Sequence, residues 1–388
     1  MLINLIFEYT FMDILIFSRQ IEDHRLDRQK LHSVESILFI AISAVICGAE
    51  SWYEIEEFGK NKESFFRSHL SDFNGIPSHD TFNRFFSTLD PVYFERQFRS
   101  WVQSLCSKYE GLVPIDGKTI RSSHKYLKGK KKFKLHMVSA WAAENGISMG
   151  QVKVSDKSNE IKAIPRLIRA LSLEGCLVSI DAMGCQKKIA EAIIKKKADY
   201  LLCVKANQEK LYQDIKNHFD SALQKRKPHE WSGHVRYDFY RTEEKRHGRK
   251  EIRECVVYSN GMLDKVYKEW KGLCTFVRIT SERTEVKSGK KSMDTRYYIT
   301  SLKMDAKRIA EAVRGHWSIE NNLHWQLDVS FNEDQTKKRN KAAQNFSLIC
   351  KMVLMLLKKE PKKLSIKAKR KAAGWNQEYL ESIILPKT

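Results

Sequence analysis

No two of the eight cysteines, at 47, 106, 176, 185, 203, 255, 274 and 350, form a C-x-x-C pair. That absence argues against a zinc ribbon or finger. Nothing implies disulfides, so a reducing compartment is expected. Cys176 and Cys203 fall in apolar, strand-like runs and read as small core residues. Apolar runs of membrane-spanning length are missing too. Ser36–Gly48 is too short to cross a bilayer and reads as a buried helix. Residues 1–17 are apolar but carry Glu8 and Asp13. They lack a basic leader and a small-residue cleavage site, which argues against a signal peptide, and the acids argue against a spanning helix. A helix packed on the first domain, or an extension upstream of the natural start, is expected there. No internal repeat or strictly low-complexity segment is visible, and no membrane association is expected.

Basic residues are abundant. Lys and Arg number 69 against 47 Asp and Glu, a formal charge of +22 over 388 residues. Such an imbalance favours a polyanionic partner, nucleic acid or an anionic membrane. Hydrophobic content of 42 % and charged content of 30 % are ordinary for a soluble globular chain. The length suggests two or three domains.

Residues 1–108 read as a helical N-terminal domain, with a turn at Pro77–Thr81 leading into a capped helix. The following run of Phe, Trp and Arg suits either DNA docking or an amphipathic helix pair with its rings inward. From 109 to 224 the pattern changes. A short strand, Leu112–Asp116, precedes a hairpin, Leu135–Ala142 and Ile147–Val154, around Glu144-Asn145-Gly146. A helix at Asn159–Ser172, a strand at Cys176–Ile180, a helix at Gln186–Lys197 and a strand at Tyr200–Val204 follow. That order matches an RNase H-like α/β core with a mixed five-stranded sheet. Residues 225–303 carry alternating strand patterns and read as an antiparallel β insertion. Residues 304–360 return to the core as helices, the pattern running from Ala306 past Leu327. Residues 337–372 read as a basic helical tail, and 361–388 as the basic C-terminal segment. Lys128–Lys132 is a basic loop, either a solvated turn or a phosphate contact.

Three acids stand out. Asp116 and Asp181 end β-branched apolar runs, V-P-I-D-G-K and L-V-S-I-D-A-M-G, while Glu320 lies in a helical pattern, H-W-S-I-E-N-N-L-H-W. Two strand-borne carboxylates and one helix-borne carboxylate can hold two hard divalent cations, the usual machinery for in-line attack on a phosphodiester. The ions sit about 3.5–4 Å apart, so one carboxylate must be shared. Asp116, on the first strand, is the candidate bridge. His316, Glu320 and His324 also recur every four residues, but that row covers about 12 Å of helix, too far for one zinc ion. The histidines and Asn321 read as contacts to phosphates or water near the metals. Asp328 is a second candidate for the third acid, rotated away from Glu320. Lys118 and Arg121 follow Asp116 and suit phosphates beside the scissile one. Arg314 can fork onto a phosphate. Trp317 suits either a base or the core, and Trp325 the core. Lys205, Asn207 and Gln208 end the fifth strand at the edge carrying the acids. Asn207 reads equally as a DNA contact or as a helix N-cap.

With those residues in place, the chain resembles the DDE transposases of bacterial insertion sequences. More closely, it is similar to the H-repeat-associated proteins and their ISAs-type relatives. The resemblance rests on G-A-E-S-W at 48–52, I-P-S-H-D-T at 76–81, I-D-G-K-T-I-R at 115–121, K-S-N-E-I at 157–161, D-A-M-G-C-Q-K-K-I-A at 181–190, D-Y-L-L-C-V-K-A-N-Q at 199–208, H-G-R-K-E-I-R at 247–253, R-Y-Y-I-T-S at 296–301 and H-W-S-I-E-N-N-L-H-W-Q-L-D-V at 316–329. It spans roughly residues 20 to 385. It implies that Asp116, Asp181 and Glu320 form the catalytic triad and bind two Mg²⁺ or Mn²⁺ ions. It further implies a transposase of the bacterial cytoplasm, nucleoid-associated when bound. That enzyme would act on double-stranded DNA, at terminal inverted repeats and at a target, as a homodimer by analogy. The wider class carries a Tyr–Arg–Glu–Lys signature at the third acid. Here Val313, His316 and Leu327 occupy the Tyr, Arg and Lys places, so phosphate-contact roles borrowed from that class are not supported. Two other readings stay open: an inactive or domesticated DNA-binding relative, and a structure-specific nuclease with the same core.

Overall fold

The computed structural model describes residues 13–26, 30–105, 109–125, 133–155, 159–225, 227, 230, 236–246, 248–259 and 267–385. The basic loop at 128–132 and most of residues 1–17 lie outside these.

Six helices come first: α1 (Ile14–Arg19), α2 (Val34–Ile46), α3 (Trp52–Asn61), α4 (Glu63–His69), α5 (His79–Thr88) and α6 (Pro91–Leu105). Their starts follow from local chemistry. Ser33 caps α2, Ser51 forms a capping box with Glu54 at α3, and Ser78 caps α5 by accepting from Thr81 N–H. Of the two readings of the Phe/Trp/Arg run, packing holds. Phe82, Phe85, Phe86, Phe94, Phe98 and Trp101 are buried, while Arg84 and Arg96 face solvent. The apolar segment 36–48 lies in buried α2, and no helix among the described residues is long and apolar enough to cross a membrane.

The sheet begins with β1 (Leu112–Lys125), β2 (Phe133–Ala142), β3 (Ile147–Lys153), β4 (Leu177–Ile180) and β5 (Asp199–Val204), interleaved with α7 (Glu160–Ala170), α8 (Lys187–Lys195) and α9 (Glu209–Lys225). β1 is antiparallel to β2 and parallel to β4, and β4 is parallel to β5. The five strands expected from sequence are present, but the five-stranded sheet is not. Four more strands, β6 (Tyr237–Arg246), β7 (Arg249–Tyr258), β8 (Thr275–Glu285) and β9 (Lys291–Thr300), join the same sheet, which has nine strands ordered 3-2-1-4-5-9-8-7-6. The reason is edge pairing. β9 lies antiparallel against Leu201–Val204 and satisfies backbone groups that the edge of β5 would otherwise expose.

After the sheet come α10 (Ala306–Gly315), a π-helical turn at Glu320–His324, α11 (Trp325–Val329), α12 (Asn340–Lys359), α13 (Ile366–Trp375) and α14 (Gln377–Ile384). The expected basic tail is instead packed structure. α12 is buried over most of its length, and its Asn345 side chain donates to the carbonyls of Phe86 (2.9 Å) and Leu89 (3.0 Å) at the end of α5. Pro361 follows the end of α12 (a residue that cannot continue a helix). Arg370 on α13 is buried and donates to the carbonyl of Val45. The N-terminal helices and the sheet thus share one core.

Candidate active site

The strand register brings the first two acids together. Ile115 on β1 faces Ile180 on β4, so Asp116 and Asp181 are the next residues on neighbouring parallel strands, about 4.8 Å apart in such sheets. Asp181 leaves the strand and caps a 3₁₀ turn, Ala182–Gly184, by accepting from Ala182 N–H. Glu320 is carried by the π turn. Asp116, Asp181 and Glu320 all line one cavity of about 210 Å³, with Ser179, Lys205 and Trp317 among its other walls.

His324 also enters this centre. Its Nδ1 lies 3.4 Å from Asp116 Oδ2 and 3.6 Å from Glu320 Oε2. One ligand atom from each of Asp116, Glu320 and His324 lies within 4.8 Å of the others. His324 is buried, and its Nε2 has no hydrogen-bond partner among the described residues. The π turn accounts for this convergence. Trp325 N–H donates to Glu320 C=O, five residues back, so the helix is locally widened, a feature frequent at functional sites. His316 lines the same cavity and hydrogen-bonds Ser179 Oγ at 2.9 Å.

Burial, then the neighbouring Glu320, push the Asp116 carboxyl well above the ordinary carboxylate range. Glu320 is held low, chiefly by His324 and also by the hydrogen bond with Asp116, against the opposing effect of burial. The two shifts run in opposite directions: burial favours the neutral form of Asp116, and His324 favours the charged form of Glu320. Burial lowers the pKa of His316.

The residues expected to meet DNA fall into two groups. Arg121, Lys205, Trp317 and Asn321 are exposed. Lys205 lies 3.9 Å from Asp181, and Arg296 stacks over the Trp317 ring at 5.6 Å. Arg314 and Asn207 are exposed too but bonded within the fold, Lys118 and His316 are half-buried, and His324 is buried. Lys118 has its ammonium set among Asp328 (2.6 Å), Glu333 (3.2 Å) and Asp334 (3.5 Å). Asp328 is thereby committed to Lys118. Arg314 makes a forked ion pair with Glu244. Trp325, expected in the core, is 54 % exposed. Ile319, Leu323 and Leu327 form the buried face, and a position two residues from each of the last two points the other way.

Asn207 is not a helix cap. Its side-chain N–H donates to the carbonyl of Ala182 (2.7 Å), and Gln208 donates to Cys185 (2.9 Å). Both hold the turn that presents Asp181. Asn207→Ala is expected to slow cleavage about 10–100-fold, the usual effect of losing a group behind a metal ligand, with duplex affinity unchanged. Parallel loss of affinity in a binding titration would make Asn207 a DNA contact instead. His136 and Glu160 were not singled out from sequence. His136 Nε2 and Glu160 Oε1 are 2.6 Å apart, and a Cβ at Gly117 would lie 2.2 Å from that same oxygen. Glycine at 117 lets this pair close behind Asp116.

Residues 109–356 match the family model described as "Transposase DDE domain", and residues 16–102 match the one described as "DDE_Tnp_1-associated". The chain belongs to the DDE transposase family. "Putative transposase YncI" of Escherichia coli O157:H7 is 41 % identical over 377 residues, covering 96 % of this chain and 94 % of that one. "H repeat-associated putative transposase YhhI" of Escherichia coli strain K12 is 37 % identical, covering 94 % and 95 %. Among solved structures, a cryo-EM piggyBac transposase synaptic complex with hairpin DNA aligns over 97 % of this chain and 77 % of that one, with 10 % identity and a TM-score of 0.41. A family of DDE transposases implies use of divalent metal, and the acidic cluster with His324 is chemically suited to such an ion.

Proposed function

We propose that this transposase cuts DNA at the ends of its own element and joins the freed 3′-hydroxyls to a target by direct transesterification. The observation that carries the reading is the convergence of Asp116, Asp181 and Glu320 on one cavity of a strongly basic chain. The strand order 3-2-1-4-5, with helices α7 and α8 between its last strands, supports an RNase H-like core.

Asp116, Asp181 and Glu320 would hold two Mg²⁺ or Mn²⁺ ions, with Asp116 as the shared ligand. Bound there, such ions stabilise the charge of the phosphoryl transfer and activate the attacking oxygen. The chain's own residues do the rest. His324 orients the Asp116 and Glu320 carboxylates, and Asn207 fixes the turn of Asp181. Lys205, Arg121, Trp317 and Asn321 offer exposed contacts to the DNA. In the first step a water oxygen bonds to phosphorus and the element's 3′-oxygen leaves as a hydroxyl. In the second, that 3′-oxygen bonds to a target phosphorus and displaces the target's own 3′-oxygen. Synapsis of two ends calls for a dimer on DNA, acting at the bacterial nucleoid.

The test is a supercoiled plasmid carrying the DNA that flanks this reading frame, incubated with Mg²⁺ or Mn²⁺. Nicks ending in 3′-hydroxyls, followed by joined products, are expected. Tight binding with no nick in either ion would favour a non-cutting relative. Cleavage of branched but not linear DNA would favour a structure-specific nuclease.

Metal affinity is expected to depend on pH. Burial and the neighbouring Glu320 push the Asp116 carboxyl up to about 8, so below that pH binding an ion displaces a proton. Affinity therefore rises up to about tenfold per pH unit toward that value and levels off above it. For the metal-free protein the sign is opposite. A raised carboxyl pKa gives stability that is present below about pH 4 and lost as pH climbs toward 8. Isothermal titration with Mn²⁺ at several pH values checks the first, and a pH-independent affinity would contradict it.

A further inference from the structure

The β6–β7 and β8–β9 hairpins end in a cationic tip that the catalytic chemistry does not use. Lys245, Arg246, Arg249, Lys287 and Lys290 are all exposed there, and none makes an ion pair among the described residues. The nearby acids are partly spent: Glu243 pairs with Lys250 (2.7 Å), and Glu285 accepts from Ser288 Oγ (2.8 Å). The two tips are tied side by side. Pairing of β7 with β8 runs to Arg249 and Glu285, and Val286 N–H donates to Gly248 C=O at 2.8 Å. Gly248 and Gly289 take the positive φ values, +72° and +66°, that these tight turns need.

Register fixes where the tip stands. Tyr297 on β9 faces Val204, the last residue of β5 at the acid-bearing edge. β9 extends six residues further, to Lys291, which is about 20 Å at 3.4 Å per residue. The ribbon therefore rises from the catalytic edge as a wall with its positive charge at the top. At 3.4 Å per base-pair step, about 20 Å along a duplex is about six base pairs. Four strands span three spacings of about 4.8 Å, roughly 14 Å, wider than the ~12 Å major groove. The tip is too broad to enter the groove and suits phosphates rather than base edges.

We propose that the paired hairpin tips grip the phosphate backbone of duplex DNA about six base pairs from the bond that is cut. The distance rests on the cleavage site proposed above; the contact itself does not. The test uses a labelled duplex of about 40 base pairs and arbitrary sequence, without divalent metal, with anisotropy followed from about 50 to 200 mM salt. The quadruple variant R246A/R249A/K287A/K290A is expected to flatten the log–log salt slope by about 3.6, since each of the four lost phosphate contacts removes about 0.9. The control K268A/K271A, at the opposite end of the ribbon, is expected to keep the wild-type slope. An unchanged slope in the quadruple variant, or an equal loss in the control, overturns the proposal. Phosphate-ethylation interference on the cleaved plasmid adds the distance. A protected phosphate about six base pairs from the nick should disappear in the quadruple variant, and interference confined to the nick itself would overturn the placement. If the quadruple variant loses slope while the wild type never nicks DNA, the grip stands and the cleavage reading falls. If the wild type nicks and the slope is unchanged, the reverse holds.

Discussion

Asp181→Asn is expected to bind duplex DNA with wild-type affinity and to lose metal-dependent nicking by about 10³-fold or more. The substitution keeps the shape of the side chain and its ability to accept from Ala182 N–H, so the 3₁₀ turn stays capped. It removes the negative charge that would complete a cation's shell. Charge stabilisation by a bound ion is worth several kcal/mol, and each ~1.4 kcal/mol is tenfold in rate. Binding is spared because Asp181 is an acid facing a polyanion, so neutralising it removes a repulsion. Plasmid nicking beside a binding titration separates the two effects. Wild-type cleavage by the variant would remove Asp181 from the metal site.

Lys118→Met is expected to cost about 3–5 kcal/mol of folding stability, the range for breaking a buried ion pair by removing one partner. The Lys118 side chain is 9 % exposed, and its ammonium faces Asp328, Glu333 and Asp334 within 3.5 Å. Methionine keeps the volume and takes away the ammonium that Asp328 and Glu333 face, while Asp334 keeps Arg121 at 3.3 Å. Part of the loss should return in acid, because protonation relieves the uncompensated charge. Arg121 offers the contrast. It touches the same Asp334 at 3.3 Å but is 79 % exposed, so Arg121→Ala should change stability by less than about 1 kcal/mol. Urea unfolding of both variants checks this, and a loss below about 1 kcal/mol for Lys118→Met would contradict it.

The sequence carries the core well because its signals are local. Apolar β-branched runs mark β4 and β5, and the turn at Glu144–Gly146 marks the β2–β3 hairpin. Serines mark the starts of α2, α3 and α5. Pairing across the sheet is not local. Alternation in residues 237–246 announces a strand without saying which edge it joins, so the insertion looks separate although β9 is hydrogen-bonded to β5. α12 reads as a basic tail because of its terminal lysines, yet its middle is apolar on nearly every face, which is the mark of a buried helix.

The site shows the same division. Each acid is visible in its own short run. The roles of their neighbours depend on partners 25, 70 and 210 residues away. Nothing local tells that Lys118 meets Asp328, that Arg314 meets Glu244, or that Asn207 reaches the carbonyl of Ala182. The π turn has no sequence signature; four-residue spacing already puts His324 beside Glu320, but nothing local tells that it also meets Asp116.

The central claim is that three carboxylates, carried by β1, the end of β4 and the π turn, form a cage for divalent ions. Anomalous diffraction from crystals grown with Mn²⁺ tests it directly. The account predicts one peak in contact with both Asp116 and Glu320 and a second touching Asp116 and Asp181. At saturating Mn²⁺, peaks elsewhere with these three carboxylates bare would contradict it.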